Sequence, residues 1–204
     1  YAGTETITDE TILNTAGADA IVDWVLLELR DATTPATVLK RRAALIQRDG
    51  DIVDVDGTTP IFLWDMNPDV YHVAVRHRNH LGAMTGTSVY LGGDPALSVV
   101  DFRTVATFGT NAQKQLAPGV KGLWSGNLRS NNRVAYTGSN NDRDAILPLL
   151  PTSSLTSVAT NQYANADLNL DGLVKYTGSA NDRDPILVNI GGVSPTAVLL
   201  QQLP

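Results

Sequence analysis

The sequence predicts a mainly β protein, in which an immunoglobulin-like antiparallel β-sandwich precedes a small calcium-loop module with short helices. Up to about residue 108, short apolar runs alternate with turns rich in Gly, Asp, Asn and Pro. Asp49-Gly50 lies between two such runs, which is a strong hairpin signal. Residues 134–147 recur at 174–187, an offset of 40. The expected organisation is an arm over residues 1–14, a sandwich over 15–108, a linker over 109–123 and a module over 124–204.

Four segments of the first half have strand character. Ala20–Arg30 is apolar on both alternating faces, so it fits a central strand or a buried helix. Its length and the hairpin downstream favour the strand. A hairpin is expected over 43–55, a further strand over Pro60–Trp64, and an alternating strand over Val70–Arg78. Tyr71 stands where a tyrosine corner is placed in immunoglobulin-like domains.

The first residues of the chain are rich in threonine, which suits an extended strand. They carry little apolar surface, and Ile7 and Ile12 are the side chains best suited to filling a pocket. Either this arm is a frayed terminus or it is a strand that pairs with another sheet.

Less regular segments follow the four strands. Leu97–Phe102 is compatible with one more strand. In the last part of the chain, Pro185 fits the first turn of a short helix, whereas Pro148 limits its segment to about one turn.

Alternating oxygen ligands mark the second copy of the repeated stretch as a calcium loop. A glycine, Gly172, follows the third of them and allows the chain to wrap tightly around the ion. The expected ligands are Asp167, Asn169, Asp171, the carbonyl of Leu173 and a returning carboxylate from Asp182. Asp184 is the other acid within reach, and it also suits helix capping before Pro185.

The first copy departs from this pattern where ligands are expected. Asn127, Arg129, Asn131 and Asn132 replace the first ligand positions and the glycine, while Asp142 and Asp144 are kept. A guanidinium repels a cation, so this loop is interpreted as degenerate. Our hypothesis is that Arg129 pairs with Asp142 or Asp144 and acts as a built-in cation.

Composition and the missing motifs argue against several classes of function. A net charge of −6 argues against binding nucleic acid, and no apolar run is long enough to cross a bilayer. The sequence has no Gly-x-Ser-x-Gly elbow, no cysteine and no phosphate-binding glycine loop, so we expect no enzyme. Millimolar extracellular calcium suits these loops, which favours a secreted protein at the cell surface.

Histidines and tryptophans are assigned to packing. Strand alternation puts His72 and His77 on opposite faces, so a metal site that also includes His80 is not expected. The three tryptophans, Trp24, Trp64 and Trp124, are interpreted as packing residues.

Several long segments together resemble one class of protein. They are residues 20–31, 45–57, 71–82 and 109–114, the two Tyr-Thr-Gly-Ser-x-Asn-Asp-Arg-Asp loops and the closing Gln202-Leu-Pro204. They resemble the C-terminal region of large secreted surface proteins of Bacteroidota, which include hemagglutinin-like and adhesin-like proteins. The resemblance implies dockerin-like calcium repeats, in which two loops form one small domain, although Arg129 and Asn131 depart from the dockerin pattern.

Two functions follow from these observations. The first is a subunit of an extracellular fibre, in which the arm of one copy completes the sheet of the next, similar to donor-strand pilus subunits. Its partner is the protein itself, with a host or cell-surface ligand as a further partner. The alternative is a C-terminal attachment or binding module of a larger secreted adhesin or hydrolase, docked through the duplicated loops.

Overall fold

The computed structural model describes residues 3–63, 65–92 and 99–204. Its regular structure is mainly antiparallel β-strand, as the sequence predicts. The chain divides into two compact units: unit 1 comprises the described residues up to His77, Ala83–Gly122 and Gln202–Pro204, and unit 2 comprises Arg78–Gly82 and Leu123–Gln201. Within the described ranges, no helix is both long and apolar enough for a membrane span.

Unit 1 contains a six-stranded antiparallel sheet. Its strands are β1 (Ile21–Arg30), β2 (Val38–Gln47), β3 (Ile52–Val53), β4 (Asp69–His77), β5 (Ala83–Met84) and β6 (Val89–Leu91). The order is β3-β2-β1-β4-β5, and β6 also pairs with β4. β1 is paired along both edges, and side chains on both of its faces are buried, with Val25 and Leu29 on one face and Leu26 on the other.

The turn between β2 and β3 forms at the predicted Asp49-Gly50 pair. Gln47 N–H donates to the carbonyl of Asp51 at 2.8 Å. Gly50 has φ of +99°, a value that residues with a Cβ rarely adopt. The hairpin prediction is therefore confirmed.

Tyr71 lies near the start of β4, and its hydroxyl donates to the carbonyl of Asn67 at 2.7 Å, which is the contact of a tyrosine corner. The ring packs in a core with Leu29 and Val73. Leu63 covers this core from residues 60–63, which form no strand, so the strand predicted over Pro60–Trp64 is wrong for the part that is described. Trp64 lies outside the described residues.

Part of the strand proposed for Leu97–Phe102 also lies outside the described residues. Val99 to Phe102 are described, and they form no strand. Val100 and Phe102 pack against the same core as Tyr71. These apolar side chains cover one face of the sheet. A segment that covers a sheet is as apolar as a strand within it, so the two are similar in sequence.

A buried ion cluster lies on the other face of the sheet. Glu28, only 1% exposed, contacts Arg30 at 2.6 Å, Arg41 at 3.0 Å and Arg76 at 3.2 Å. Burial alone would raise the pKa of Glu28, but hydrogen bonds from Arg30 and Arg41, together with the charges of Arg76 and Arg30, outweigh it, and the pKa lies below its ordinary value.

A short hairpin occupies most of the segment expected to be a linker. It consists of β7 (Gln113–Ala117) and β8 (Val120–Leu123), joined at Gly119, where φ is +75°. Residues 115–120 at its tip are exposed.

Unit 2 is built from two copies of one motif, and each strand of one copy pairs with a strand of the other copy. Its strands are β9 (Arg133–Ala135), β10 (Val158–Thr160), β11 (Leu173–Lys175) and β12 (Val198–Leu200). The two first strands, β9 and β11, are 40 positions apart, and so are the two last strands, β10 and β12. Nevertheless β9 pairs with β12, and β10 pairs with β11, in equivalent registers. Each copy therefore completes the other.

The core of unit 2 follows the same duplication. Its buried members include Leu128 and Leu168, Val134 and Val174, and Ile146 and Ile186, each pair 40 positions apart. Leu81, 1% exposed, joins this core from the first half of the chain, and Trp124 packs against it. Side chains of the two copies thus share a single hydrophobic core.

The copies differ in their helical segments. The second forms α1 (Arg183–Asn189), whereas the first forms two 3-10 turns, Arg143–Ala145 and Leu147–Leu149. Pro148 explains the difference, because it lacks the N–H that an α-helix would need there. Pro185 lies in the first turn of α1, as predicted.

Candidate calcium loops and N-terminal arm

The two loops share one backbone conformation. Outside glycine, φ values above +50° are rare because they bring Cβ close to the backbone. Such values, or a glycine, recur at equivalent positions: Ser130 and Leu170, Asn132 and Gly172, Gly138 and Gly178, and Asn140 and Ala180. Replacing the glycine by Asn132 in the first copy therefore leaves the loop shape intact.

Asp142 and Asp182 perform the same structural role in the two copies. Both are fully buried. Asp142 accepts the N–H groups of Arg129 at 3.2 Å and Ala135 at 2.9 Å. Asp182 accepts those of Leu168 at 2.7 Å and Lys175 at 2.8 Å. Each carboxylate thus ties the start of its loop to the strand that follows.

Asp144 and Asp184 also have matching partners. Asp184 accepts from the Asn181 amide at 2.8 Å and lies 2.8 Å from the Arg183 guanidinium. Its own N–H donates to Asn181 Oδ1 at 2.9 Å, so Asn181 caps the first turn of α1. Asp144 repeats these contacts with the Asn and Arg of its own copy.

In the second loop, the side chains at the first predicted ligand positions accept backbone N–H groups of the loop itself. Asp167 Oδ1 accepts the N–H of Asp171 at 3.1 Å, and Oδ2 accepts that of Gly172 at 3.0 Å. Asn169 Oδ1 accepts the same Asp171 N–H at 3.0 Å, and Asp171 Oδ1 accepts that of Leu173 at 2.9 Å. These contacts close the loop. The other oxygen of Asp171, Oδ2, accepts from the Asn169 amide at 3.2 Å and lies 3.8 Å from Lys175 Nζ.

Charge distinguishes the loops. Residues 167–184 carry four aspartates, one lysine and one arginine (−2), whereas residues 127–144 carry two aspartates and three arginines (+1). Burial raises the pKa of Asp167, and the Asp171 charge adds to that effect. Burial likewise raises the pKa of Asp182, with a contribution from Asp167. The second loop therefore holds excess negative charge that a cation would offset.

In the first loop, Arg129 supplies a positive charge. Its Nε donates to the carbonyl of Asn141 at 2.6 Å. Burial raises the pKa of Asp142, and the Arg129 charge acts in the opposite direction. It also helps to lower the pKa of Asp144, for which the Asn141 hydrogen bond is the main cause. Arg129 thus acts electrostatically on both carboxyl groups while its hydrogen bond goes to a carbonyl.

The donor set of the second loop fits a hard cation in its chemistry. Carboxylate and amide oxygens at Asp167, Asn169 and Asp171 are calcium ligands by type. Nevertheless, among residues 3–63, 65–92 and 99–204, no three histidine or carboxylate side chains are gathered as a metal site would gather them. Asp182 and Asp184 are held by the protein contacts described above. Calcium binding at these positions stays a prediction.

Asn79 connects the beginnings of both loops. It is completely buried, and its carbonyl accepts the N–H of Asn127 at 3.0 Å. Its side-chain amide donates to the carbonyl of Asp167 at 2.8 Å. Sequence reasoning missed this residue, because nothing near position 79 resembles either loop.

The three histidines make separate contacts. His72 Nδ1 lies 2.9 Å from the carbonyl of Thr85, His77 Nε2 lies 3.1 Å from Asp23 Oδ2, and His80 Nδ1 lies 2.7 Å from Asn79 Oδ1. Trp24 is half-buried in β1. These contacts agree with packing roles.

The arm is only loosely covered in unit 1. Every side chain over residues 3–19 is exposed or half-buried, and only a 3-10 helix, Glu10–Asn14, is regular. Glu5 Oε2 accepts the N–H of Ala43 in β2 at 3.2 Å. Ile7 is half-buried, and Ile12 packs against Gly57. Both strand-donor candidates thus lie in a segment with little burial of its own.

Comparisons with family models, curated proteins and solved structures found no match for this chain. A functional assignment therefore depends on the residues and geometry described above.

Proposed function

We propose that this chain is a non-enzymatic structural protein of the bacterial surface, a subunit of a secreted fibre or pilus-like filament assembled by strand donation and stabilised by calcium. The observation that carries the proposal is the arm. It contains apolar side chains, Ile7 and Ile12, yet no side chain over residues 3–19 is buried.

A segment of this kind gains by pairing with a second copy. Main-chain hydrogen bonds to a sheet edge give affinity, and alternate side chains that enter pockets give specificity. Head-to-tail pairing of this type leaves one arm and one acceptor unused at the ends, so it propagates into a filament. The interpretation of unit 1 as an immunoglobulin-like sandwich belongs to this proposal, and the tyrosine corner at Tyr71 supports it.

Calcium has a structural role in this proposal. We interpret unit 2 as a dockerin-like module similar to the repeats of Bacteroidota surface proteins, with a single cation site in the second loop. The ion would join the oxygens of Asp167, Asn169 and Asp171. It would thereby stabilise a unit whose strands have only three residues each.

Arm deletion tests this function. The full chain and a variant without residues 1–12 are compared by light scattering and negative-stain microscopy, each with calcium and with a chelator. We expect filaments from the full chain and folded monomers from the deletion variant, with circular dichroism as the folding control. Filaments that persist after the deletion would refute strand donation.

The attachment-module alternative is favoured by one observation, the duplicated loops with their shared backbone. It predicts a tight complex with a different protein and no self-association. The same light-scattering experiment separates the two functions, because a monomer at every concentration favours attachment.

A further inference from the structure

In the described part of unit 1, the outer edge of β2 lacks a paired strand over most of its length. β3 pairs with β2 only at Leu45 and Ile46. No strand of the described residues pairs with Lys40–Ala44 on the side away from β1. A sheet edge without a paired strand readily pairs with another chain.

Backbone direction along this edge follows from alternation. In an antiparallel sheet, every second residue directs both its N–H and its C=O to the same side. Leu45 faces β3, and the N–H of Ala43 donates to Glu5 outside the sheet. Arg41 therefore also presents its backbone groups to the outer side. A register shift between Lys40 and Val38 ends the regular edge at Leu39.

The arm of the same chain already touches this edge. Besides the Glu5 contact, a Cβ built on Gly3 would lie 2.6 Å from the Ala43 Cβ, so the arm backbone approaches β2 closely. Over residues 3–14, the arm meets the edge through the Glu5 carboxylate and forms no ladder of backbone hydrogen bonds with it. An arm paired as a strand would satisfy more of the edge.

Charges on the two segments are complementary. Residues 3–14 carry Glu5, Asp9 and Glu10, and the edge carries Lys40, Arg41 and Arg42 in succession. Each of these basic side chains also pairs with a carboxylate of unit 1: Lys40 with Asp65, Arg41 with Glu28 and Arg42 with Asp54. Arg41 keeps 51% of its side chain exposed, so the charge attraction to the acidic arm is centred on it.

We infer that the outer edge of β2, Lys40–Ala44, is the acceptor for the N-terminal arm of a second copy of this chain. This inference rests on the proposed function and names the surface that strand donation uses. The contact between Glu5 and Ala43 within one chain is the competing state, because it occupies the same N–H group.

Cysteine cross-linking provides the test, since the natural chain has no cysteine. Full-length Thr6→Cys protein is mixed under oxidising conditions with size-tagged Leu39→Cys protein. Val193→Cys, at a residue 94% exposed, replaces Leu39→Cys as the control for random collision. Each copy carries one cysteine, so a disulfide between the tagged and untagged chains reports pairing between copies.

We expect the mixed disulfide with Leu39→Cys to exceed that with Val193→Cys at least tenfold. Filaments with equal cross-linking of the two would overturn the acceptor edge and leave the proposed function standing. A mixture that stays monomeric and cross-links equally would overturn both.

Two variants at one position separate backbone pairing from side-chain contact. Arg41→Ala and Arg41→Pro both remove the ion pair with Glu28, but only proline removes the outward N–H. We expect the proline variant to self-associate about tenfold more weakly than the alanine variant. Equal association of two folded variants would contradict pairing at this edge.

Discussion

Replacing Asp167 by Asn tests the cation dependence of the second loop, and the chain supplies a matched case. Asn127 holds the equivalent position in the first loop, where its Oδ1 accepts the N–H of Asn131 at 3.0 Å. The substitution therefore keeps the loop backbone. It removes one carboxylate from the pair that Asp167 forms with Asp182, and each of these has a raised pKa, chiefly because it is buried.

The magnitude follows from two opposing effects. Relief of repulsion between like charges within about 6 Å stabilises the folded state by roughly 3 kcal/mol at an effective dielectric of 20. Loss of one charged hydrogen-bond acceptor destabilises it by about 1.5–3 kcal/mol. In a chelator, we therefore expect the free energies of unfolding of Asp167→Asn and the natural protein to agree within about 1.5 kcal/mol.

Calcium should raise the Tm of the natural protein more than that of Asp167→Asn. At a free concentration near 100 times its Kd, the ion would stabilise the natural protein by about 2.7 kcal/mol. For a chain of this size that corresponds to a shift in Tm of roughly 5–10 °C. Differential scanning calorimetry measures this shift, and we expect less than a quarter of it in Asp167→Asn. Asn127→Asp in the first loop is the control, and its calcium-induced shift in Tm should equal that of the natural protein. An equal calcium shift in the natural protein and Asp167→Asn would refute the assignment of the site.

Three further predictions concern stability. Glu28→Gln should destabilise unit 1 by about 3–5 kcal/mol in urea unfolding, because it leaves the buried Arg30 without a carboxylate. The control is Arg41→Ala, which removes the exposed partner of Glu28 and should change the stability by less than about 1 kcal/mol. Equal effects of the two substitutions would contradict this prediction. Asn79→Ala should lower the stability of unit 2 by about 2–4 kcal/mol, because the carbonyls of Asn165 and Asp167 lose the side-chain amide that donates to them; a loss below about 1 kcal/mol would argue against it. Burial raises the pKa of Asp142, so its contribution to stability is present below the unfolded pKa and is lost as pH rises through the folded pKa. Between pH 4 and 6 the Tm of Asp142→Asn relative to the natural protein should therefore rise, and a constant difference would contradict the buried assignment.

Local signals in the sequence predicted much of the first sheet. Asp49-Gly50 predicted a turn, and the two apolar faces of Ala20–Arg30 predicted a central strand. Tyr71 was expected near the start of a strand, where its hydroxyl donates to the backbone carbonyl of Asn67. Pro60–Leu63 was misread because apolar residues that cover a sheet have the same composition as a strand within it. The buried contacts of Glu28 join three strands, which no short-range pattern reveals.

The repeat was recognised only in part. Identical residues continue at the same offset beyond position 147, as at Ser154 and Ser194 or Thr156 and Thr196. Extending the comparison would have revealed a duplicated unit of about forty residues in place of a duplicated loop. Exchange of β10 and β12 between copies could not be inferred, because either pairing satisfies the same alternation.

The most direct test of strand donation is the mass of the purified full chain measured by light scattering over a hundredfold range of concentration. The same measurement is made without residues 1–12. We predict a mass that grows with concentration for the full chain and a constant monomer mass without the arm. A monomer mass for both proteins, or growth in both, would contradict the proposed assembly.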